Sequence, residues 1–276
     1  MTEYRKETPF TIVASDLDGT LLAPNHQLSD FSKQTLQRLY QQGFNFIFAT
    51  GRHHVDVAEI RQQTGIPAHM ITSNGARVHD HNDQLLYSKD VPSDLVQSVI
   101  DVIKNEQDIL IHVYQNESWL MHQDDEELRH FHKDSGFNYQ LFDVDNAPTD
   151  GIAKIFFTHR AKDHDHLANF EARLNQLFGD QITVAFSTPW CLEVMAAEVS
   201  KGEALKAVAD SLGFGLEHCI AFGDGMNDVE MLSMAGCGLV MGTAHVKVKQ
   251  ALPDNLVIGS NEEDAVAHYL LEHLIN

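Results

Sequence analysis

Short, mainly apolar runs recur along the chain at residues 10–15, 44–49, 69–73, 192–196, 219–222 and 238–241, and segments of helical periodicity separate several of them. Continuous apolar runs this short fit strands covered on both faces. Strands that alternate with helices predict a mostly parallel sheet with helices on both sides. One helix is expected to start near Ser29, a suitable N-cap, and to stop at Gly43, a residue able to take the left-handed conformation that ends helices. Others are expected over about 55–63, 202–212, 227–234 and 263–274. The fold class implied is α/β, with a doubly wound, Rossmann-like parallel sheet at its core.

The middle of the chain has another pattern. A helix is expected over 93–105, then two adjacent strands, "ILIHVY" and "SWLMH", then an acidic, histidine-rich helix. "IAKIFFTHR", a helix over about 164–178 and "ITVAFS" complete it. Paired strands backed by helices predict an antiparallel sheet in a compact α+β unit. Residues 88–188 are therefore expected to be an inserted cap, and residues 1–87 and 189–276 one discontinuous core.

The first apolar run ends in "DLDGT", which puts the like charges of Asp16 and Asp18 one residue apart. Doubly wound sheets bind ligands beyond the carboxyl ends of their strands, and this pair sits at such an end. Neighbouring carboxylates repel, and one pKa rises unless a cation intervenes. Oxygen ligands at this spacing suit Mg²⁺, with a third carboxylate expected from another strand end. "IAFGDGMND" supplies Asp224 after the run 219–222, with Asp228 one helical turn later. The plainer reading makes both motifs polar turns, since Asp-Gly is a common turn dipeptide.

"FIFATGR" places Thr50 and Gly51 at a further strand end, where a hydroxyl and exposed backbone N–H groups can cradle an anion. Lys201, in "EVSKGEAL", opens a helix against the unfavourable end of the helix dipole. That position makes sense for an ammonium facing a phosphate and a carboxylate; an ordinary surface lysine is the alternative.

Composition narrows the partners. The 19 basic and 40 acidic residues leave a net charge of -21, which disfavours nucleic acid and anionic membrane surfaces. An anionic ligand would then need a cation and an ammonium beside it to reverse the field locally. No run of eighteen apolar residues predicts a membrane span, and "MTEYRKETPF" has no apolar core of the kind that secretion signals carry. The 3 cysteines, Cys191, Cys219 and Cys237, form no CxxC pair and lie in apolar runs, as expected of buried thiols in a reducing, cytoplasmic setting. None of the 17 histidines has the spacing of a recognised metal site, and no heptad repeat indicates an oligomeric state.

In order and spacing, "DLDGTLL", "ATGR", the lysine of "SKGEAL" and "FGDGMND" resemble the four motifs of the haloacid dehalogenase-like phosphatases. The insertion resembles the α/β cap of their Cof-type branch, and the match extends over essentially the whole chain. "ATGRHHVDV", "ITSNGARVHD" and "FSTPWCLEVMAAEVSKG" look closest to bacterial pyridoxal phosphate or sugar phosphate phosphatases. The resemblance implies Asp16 as nucleophile, forming an aspartyl phosphate, and Asp18 as general acid and then base, its pKa raised by Asp16. It implies Mg²⁺ held by Asp16, the backbone carbonyl of Asp18 and Asp224, with Asp228 in support. It implies phosphoryl contacts from Thr50, the backbone of Leu17 and Gly51, Asn227 and Lys201.

Arg52 and residues Asn74 to Arg77 become candidate substrate contacts, and His53 and His54 either touch substrate or only begin the next helix. Trp119 and Trp190 are expected to pack, with a stacking role for Trp119 left open. The function implied is Mg²⁺-dependent hydrolysis of a small phosphorylated metabolite, the cap serving as lid. A phosphomutase of the same fold and a phospho-acceptor or silent ligand-binding protein are the alternatives. The acid after the nucleophile and the long insertion both argue against a signalling receiver.

Overall fold

A computed structural model describes residues 8–131 and 137–275, in two compact units divided at Leu86/Tyr87 and Val199/Ser200. The first unit opens with strand β1 (Ile12–Ser15), helix α1 (Asp30–Gln41), β2 (Asn45–Ala49), α2 (His54–Thr64) and β3 (Ala68–Thr72). A hairpin of β4 (Arg77–His79) and β5 (Leu85–Ser88) leads out of it. The chain returns through α6 (Lys201–Ser211), β12 (Cys219–Gly223), α7 (Val229–Met234), β13 (Cys237–Val240), α8 (Val246–Ala251), β14 (Leu256–Val257) and α9 (Ala265–Leu274). Between these lie α3 (Ser93–Asp101), β6 (Ile109–Gln115), β7 (Ser118–Met121), α4 (Glu126–Phe131) and β8 (Gln140–Leu141). That second unit ends with β9 (Ile152–His159), α5 (His164–Phe178), β10 (Ile182–Thr188) and β11 (Cys191–Ala196).

The core sheet has eight strands in the order β14-β13-β12-β1-β2-β3-β4-β5. Strands β14 through β3 are parallel, and β4 turns back antiparallel to β3. Both faces are covered, which is why the strands read as unbroken apolar runs. Val13, Phe46, Phe48, Ile220 and Phe222 pack on one side with Leu36 and Leu39 of α1 and Leu270 and Leu274 of α9. Ile12, Ala14, Ile47, Cys219 and Ala221 pack on the other with Leu205 and Val208 of α6. The expected helix ends hold as well: Ser29 Oγ accepts from the Ser32 amide at 2.9 Å, and Gly43 lies at φ +86°.

The chain builds β1, β2 and β3 in one direction and later returns to β12 on the other side of β1. That reversal opens a crevice at the carboxyl ends of β1 and β12, where sheets of this class bind ligands.

The second unit is a six-stranded sheet, β10-β11-β9-β6-β7-β8, antiparallel except for the β7–β8 pair. One face packs Ile111, Val113, Ile155, Phe157, Leu192 and Val194 against Val96 and Val99 of α3 and Phe170 and Leu174 of α5. Here the structure differs from the sequence reading. The run 192–196, expected with the core, is β11, bonded to β9 and β10 in the sheet of the second unit. The expected boundary at 188/189 falls at the tight turn that joins β10 to β11, and the second unit ends at Val199. Apolar pattern marks a strand but not its partner, and a hairpin neighbour won over a distant sheet.

Four strands escaped the sequence reading: β4, where Val78 stands between Arg77 and His79; β5, whose side chains are exposed; and the two-residue β8 and β14. The acidic helix is short, and the segment just beyond it lies outside the described residues. Of the cysteines, Cys219 is buried while Cys191 and Cys237 are partly so. Burial pushes the Cys191 and Cys219 thiols up to about 12 and about 11, which keeps them protonated and inert.

Candidate active site

Parallel pairing sets the ends of β1, β2 and β12 side by side, and the motif residues follow those ends directly. The Asp16 amide donates to Phe222 O at 3.0 Å, which ties the first aspartate to β12. The next turn is built around Gly19, at φ +79°. A Cβ there would lie 2.4 Å from Asp224 Oδ2, so glycine serves both the left-handed backbone and the close approach of a carboxylate. Thr20 Oγ1 then donates to Asp224 Oδ1 at 2.9 Å. "DGT" is thus more than a turn: its glycine makes room for Asp224 and its threonine holds it.

Lys201 is wholly buried at the start of α6 and donates to Asp16 Oδ1 at 2.7 Å and to Asp228 Oδ1 at 2.6 Å. The alternative of a surface lysine is excluded. Burial alone would lower its pKa, but Asp16 and Asp228 outweigh it and hold the ammonium charged. The other oxygen of Asp228 accepts the amides of Asp224 at 3.0 Å and Gly225 at 2.9 Å. Asp228 is therefore spent on shaping the motif, as a supporting residue would be.

Asp16, Asp224 and Asp228 each bring an oxygen within 4.8 Å of the others. Burial, then Asp228, Asp224 and Asp18, push the Asp16 carboxyl well above its ordinary value despite Lys201. Burial and Asp228 push Asp224 up to about 6. One ammonium does not balance these carboxylates, and an all-oxygen donor set of this charge fits a hard divalent cation such as Mg²⁺. The residues present fit the ion that the sequence implies, and Asp16 and Asp224 would hold it.

Asp18 stands apart from that cluster. Its carboxylate accepts from Arg52 Nε at 2.6 Å, Arg52 Nη2 at 2.5 Å and His26 Nδ1 at 2.9 Å. Burial would raise its pKa, yet the hydrogen bonds from Arg52 and His26 and their charges overcome it and hold the carboxyl below the usual range. The expectation that Asp16 raises the pKa of Asp18 is thus reversed in this arrangement. A bidentate, charge-assisted pairing with the arginine outweighs the like charge two residues back along the chain.

The remaining motif residues form a second layer around the crevice. The Thr50 amide is tied to Ile71 O at 2.8 Å, while its Oγ1 accepts the Arg52 amide at 3.1 Å. The Asn74 amide donates to Thr50 O at 3.1 Å, and Asn74 Oδ1 accepts from Asn227 Nδ2 at 3.0 Å. Ser73 and Asn74 both have positive φ, and a Cβ on Gly75 would meet Ser200 O at 2.2 Å, so this loop is pressed against the cap residue of α6. Leu17 is buried in the first turn, its carbonyl accepting from the Leu22 amide at 2.9 Å.

His53 caps α2 through Nδ1, accepting from the Val55 amide at 3.3 Å, and His54 is the first residue of that helix. Trp119 is buried against His112, whereas Trp190 is partly exposed beneath Lys162, contrary to its expected packing role. Sequence reasoning passed over Thr20 and His26. Thr20 sits in the first motif and was legible there; His26, eight residues past Asp18, lies outside the motifs, and the turn between them carries its ring to the carboxylate.

Residues 13–270 match the family model for haloacid dehalogenase-like hydrolases. A Haemophilus influenzae relative is 46% identical over 263 residues, covering 95% of this chain and 96% of its own. A Cronobacter sakazakii protein named HMP-PP phosphatase is 41% identical over 261 residues, covering 95% and 94%. Among solved structures, a haloacid dehalogenase-like hydrolase from B. subtilis superposes with a TM-score of 0.83 at 25% identity, over 96% of this chain and 100% of the other. A sugar phosphatase of subclass IIB shares the fold at a TM-score of 0.81 and 20% identity, over 95% and 98%. The family model spans nearly the whole chain and the relatives carry phosphatase names: this chain is a haloacid dehalogenase-like hydrolase, a phosphatase.

Proposed function

We propose that the protein is a Mg²⁺-dependent phosphomonoesterase that hydrolyses small phosphorylated metabolites through an aspartyl phosphate on Asp16. The observation that carries this reading is the buried ammonium of Lys201 bridging Asp16 and Asp228, with Asp224 in the same cluster. A carboxylate held by a buried cation, at the carboxyl end of a central strand, is aimed and partly neutralised for attack on an anion. In the first half-reaction an Asp16 oxygen bonds to phosphorus and the P–O bond to the alcohol breaks, Asp18 supplying the proton the alcohol takes. In the second, water attacks the acyl phosphate, Asp18 takes its proton, and Asp16 is released with inorganic phosphate.

Lys201, Thr50, Asn227 and the backbone N–H groups of Leu17 and Gly51 serve as phosphoryl contacts in this scheme. Mg²⁺, when bound, offsets the negative charge shared by phosphate and nucleophile. The pairing with Arg52 suits Asp18 as the base of the second half. Its acid role requires Arg52 to turn away, and a phosphate dianion competing for the guanidinium supplies the reason.

The inserted unit serves as the substrate lid. For the organic part, pyridoxal phosphate, hexose phosphates and flavin mononucleotide fit the reading, and relatives named HMP-PP phosphatase and sugar phosphatase support a small-molecule ester. The test is phosphate release from p-nitrophenyl phosphate, followed by a panel of phosphorylated metabolites, with and without chelator. Activity abolished by EDTA, restored by Mg²⁺ and lost in Asp16→Asn is expected. Undiminished turnover after exhaustive chelation, or in Asp16→Asn, overturns the proposal.

A further inference from the structure

The turn after the first motif carries a histidine in an uncomfortable place. His26 is held at φ +61°, where a side chain is strained and glycine or asparagine is at ease. The turn around it is well made: the His26 amide donates to Ala23 O at 2.8 Å, the Ala23 amide to Gln27 O at 3.0 Å, and the Gln27 amide to Asn25 Oδ1 at 3.0 Å. A turn needs no imidazole at that position, so the strain points to what the ring touches.

The ring touches Asp18. His26 Nδ1 and Arg52 Nη2 both converge on Asp18 Oδ1, at 2.9 Å and 2.5 Å, while Arg52 Nε takes Oδ2 at 2.6 Å. Because the acceptor is a carboxylate, Nδ1 is the protonated nitrogen and donates. Nδ1 lies 3.5 Å from Arg52 Nη2, and both groups are donors, so neither satisfies the other and both serve the same oxygen. The two donors differ in tether. Arg52 reaches Asp18 along a flexible side chain from a neighbouring strand end. His26 belongs to the turn that begins at Asp18 itself, where an isolated bridge joins Asp18 to Leu22.

We propose that His26 is a positioning residue for Asp18. Its Nδ1–H fixes Oδ1 from the turn, so that the carboxyl group keeps its aim at the leaving oxygen when Arg52 turns to the substrate. The inference rests on the phosphatase reading above and adds to it a residue outside the four motifs. Asparagine is the conservative replacement, because its Nδ2–H₂ occupies the place of the imidazole Nδ1–H and its backbone tolerates φ +61°. Glycine relieves the strain and removes the donor.

The test compares wild type, His26→Asn and His26→Gly on phenyl phosphate and p-nitrophenyl phosphate. These esters are nearly the same shape, but the phenol needs a proton to leave and p-nitrophenol does not. Losing a hydrogen bond to a charged group corresponds to roughly a 10- to 100-fold effect. His26→Gly is therefore expected to lose about that much in kcat/KM on phenyl phosphate, and less on p-nitrophenyl phosphate, while His26→Asn stays near wild type on both. Unchanged kcat/KM in His26→Gly, an equal loss on both esters, or no rescue by asparagine overturns the assignment, since a merely structural turn affects both substrates alike. Should wild type release phosphate from neither ester, the phosphatase reading itself fails and takes this inference with it. An active wild type with a silent His26→Gly sinks the inference alone.

Discussion

Replacing Lys201 by methionine keeps the volume of the side chain and deletes its charge. The ammonium is fully buried between Asp16 and Asp228, at 2.7 Å and 2.6 Å, so the variant leaves carboxylates buried without their counter-ion. Removing one partner of a buried pair costs about 3–5 kcal/mol. The carboxylates escape part of that cost by binding protons, which gives the effect a pH signature. Without metal, Asp16 already lies well above its ordinary value and Asp224 lies at about 6, against about 3.9 for an aspartate in the unfolded chain. With folded values raised, the native state holds protons that the unfolded state has lost. Stability then falls as pH rises from about 4 through the folded pKa values.

For Asp224 the gap corresponds to a ceiling of roughly 3 kcal/mol. Lys201→Met removes the attraction that restrains Asp16, so its fall in stability is larger and reaches higher pH. Urea unfolding in EDTA between pH 5 and pH 8 measures this. The deficit of the variant against wild type is expected to be about 3–5 kcal/mol near pH 7.5 and to shrink toward pH 5. A deficit under about 1 kcal/mol, or one that does not change with pH, refutes the account of Lys201 as the counter-ion of this cluster.

Gly19→Ala places a Cβ 2.4 Å from Asp224 Oδ2 on a backbone at φ +79°, and is expected to cost about 1–3 kcal/mol in urea unfolding and most of the Mg²⁺-dependent turnover. Thr20→Val deletes the 2.9 Å bond to Asp224, and the Mg²⁺ concentration for half-maximal activity is expected to rise roughly 10- to 100-fold, read from a titration at saturating substrate. In the second unit, Lys154 donates to Glu193 at 2.5 Å with both side chains buried and two aromatic rings against the ammonium. Lys154→Met alone is expected to cost about 3–5 kcal/mol, and Lys154→Met with Glu193→Leu much less, a comparison that a double-mutant cycle settles.

Much of the catalytic geometry is written locally. The residues that follow β1, β2 and β12 stand where they do because an apolar run ends and a polar turn begins, a change visible along the chain at Asp16, Thr50 and Asp224. The helix start at Ser29 and its stop at Gly43 are likewise local matters of capping and left-handed backbone. Partnership is another matter. Strand 192–196 reads the same whichever of the two sheets it joins, because burial on both faces leaves the same apolar mark in either.

The protonation of Asp18 could not be inferred from its neighbour two residues away, since Arg52 reaches it across 34 positions and His26 across a turn. Spacing along the chain settles which groups are present at a strand end and which way the backbone must bend to present them. Which group neutralises which is settled by distance in three dimensions: electrostatic energy depends on separation and burial, and folding brings together charges that the chain keeps far apart.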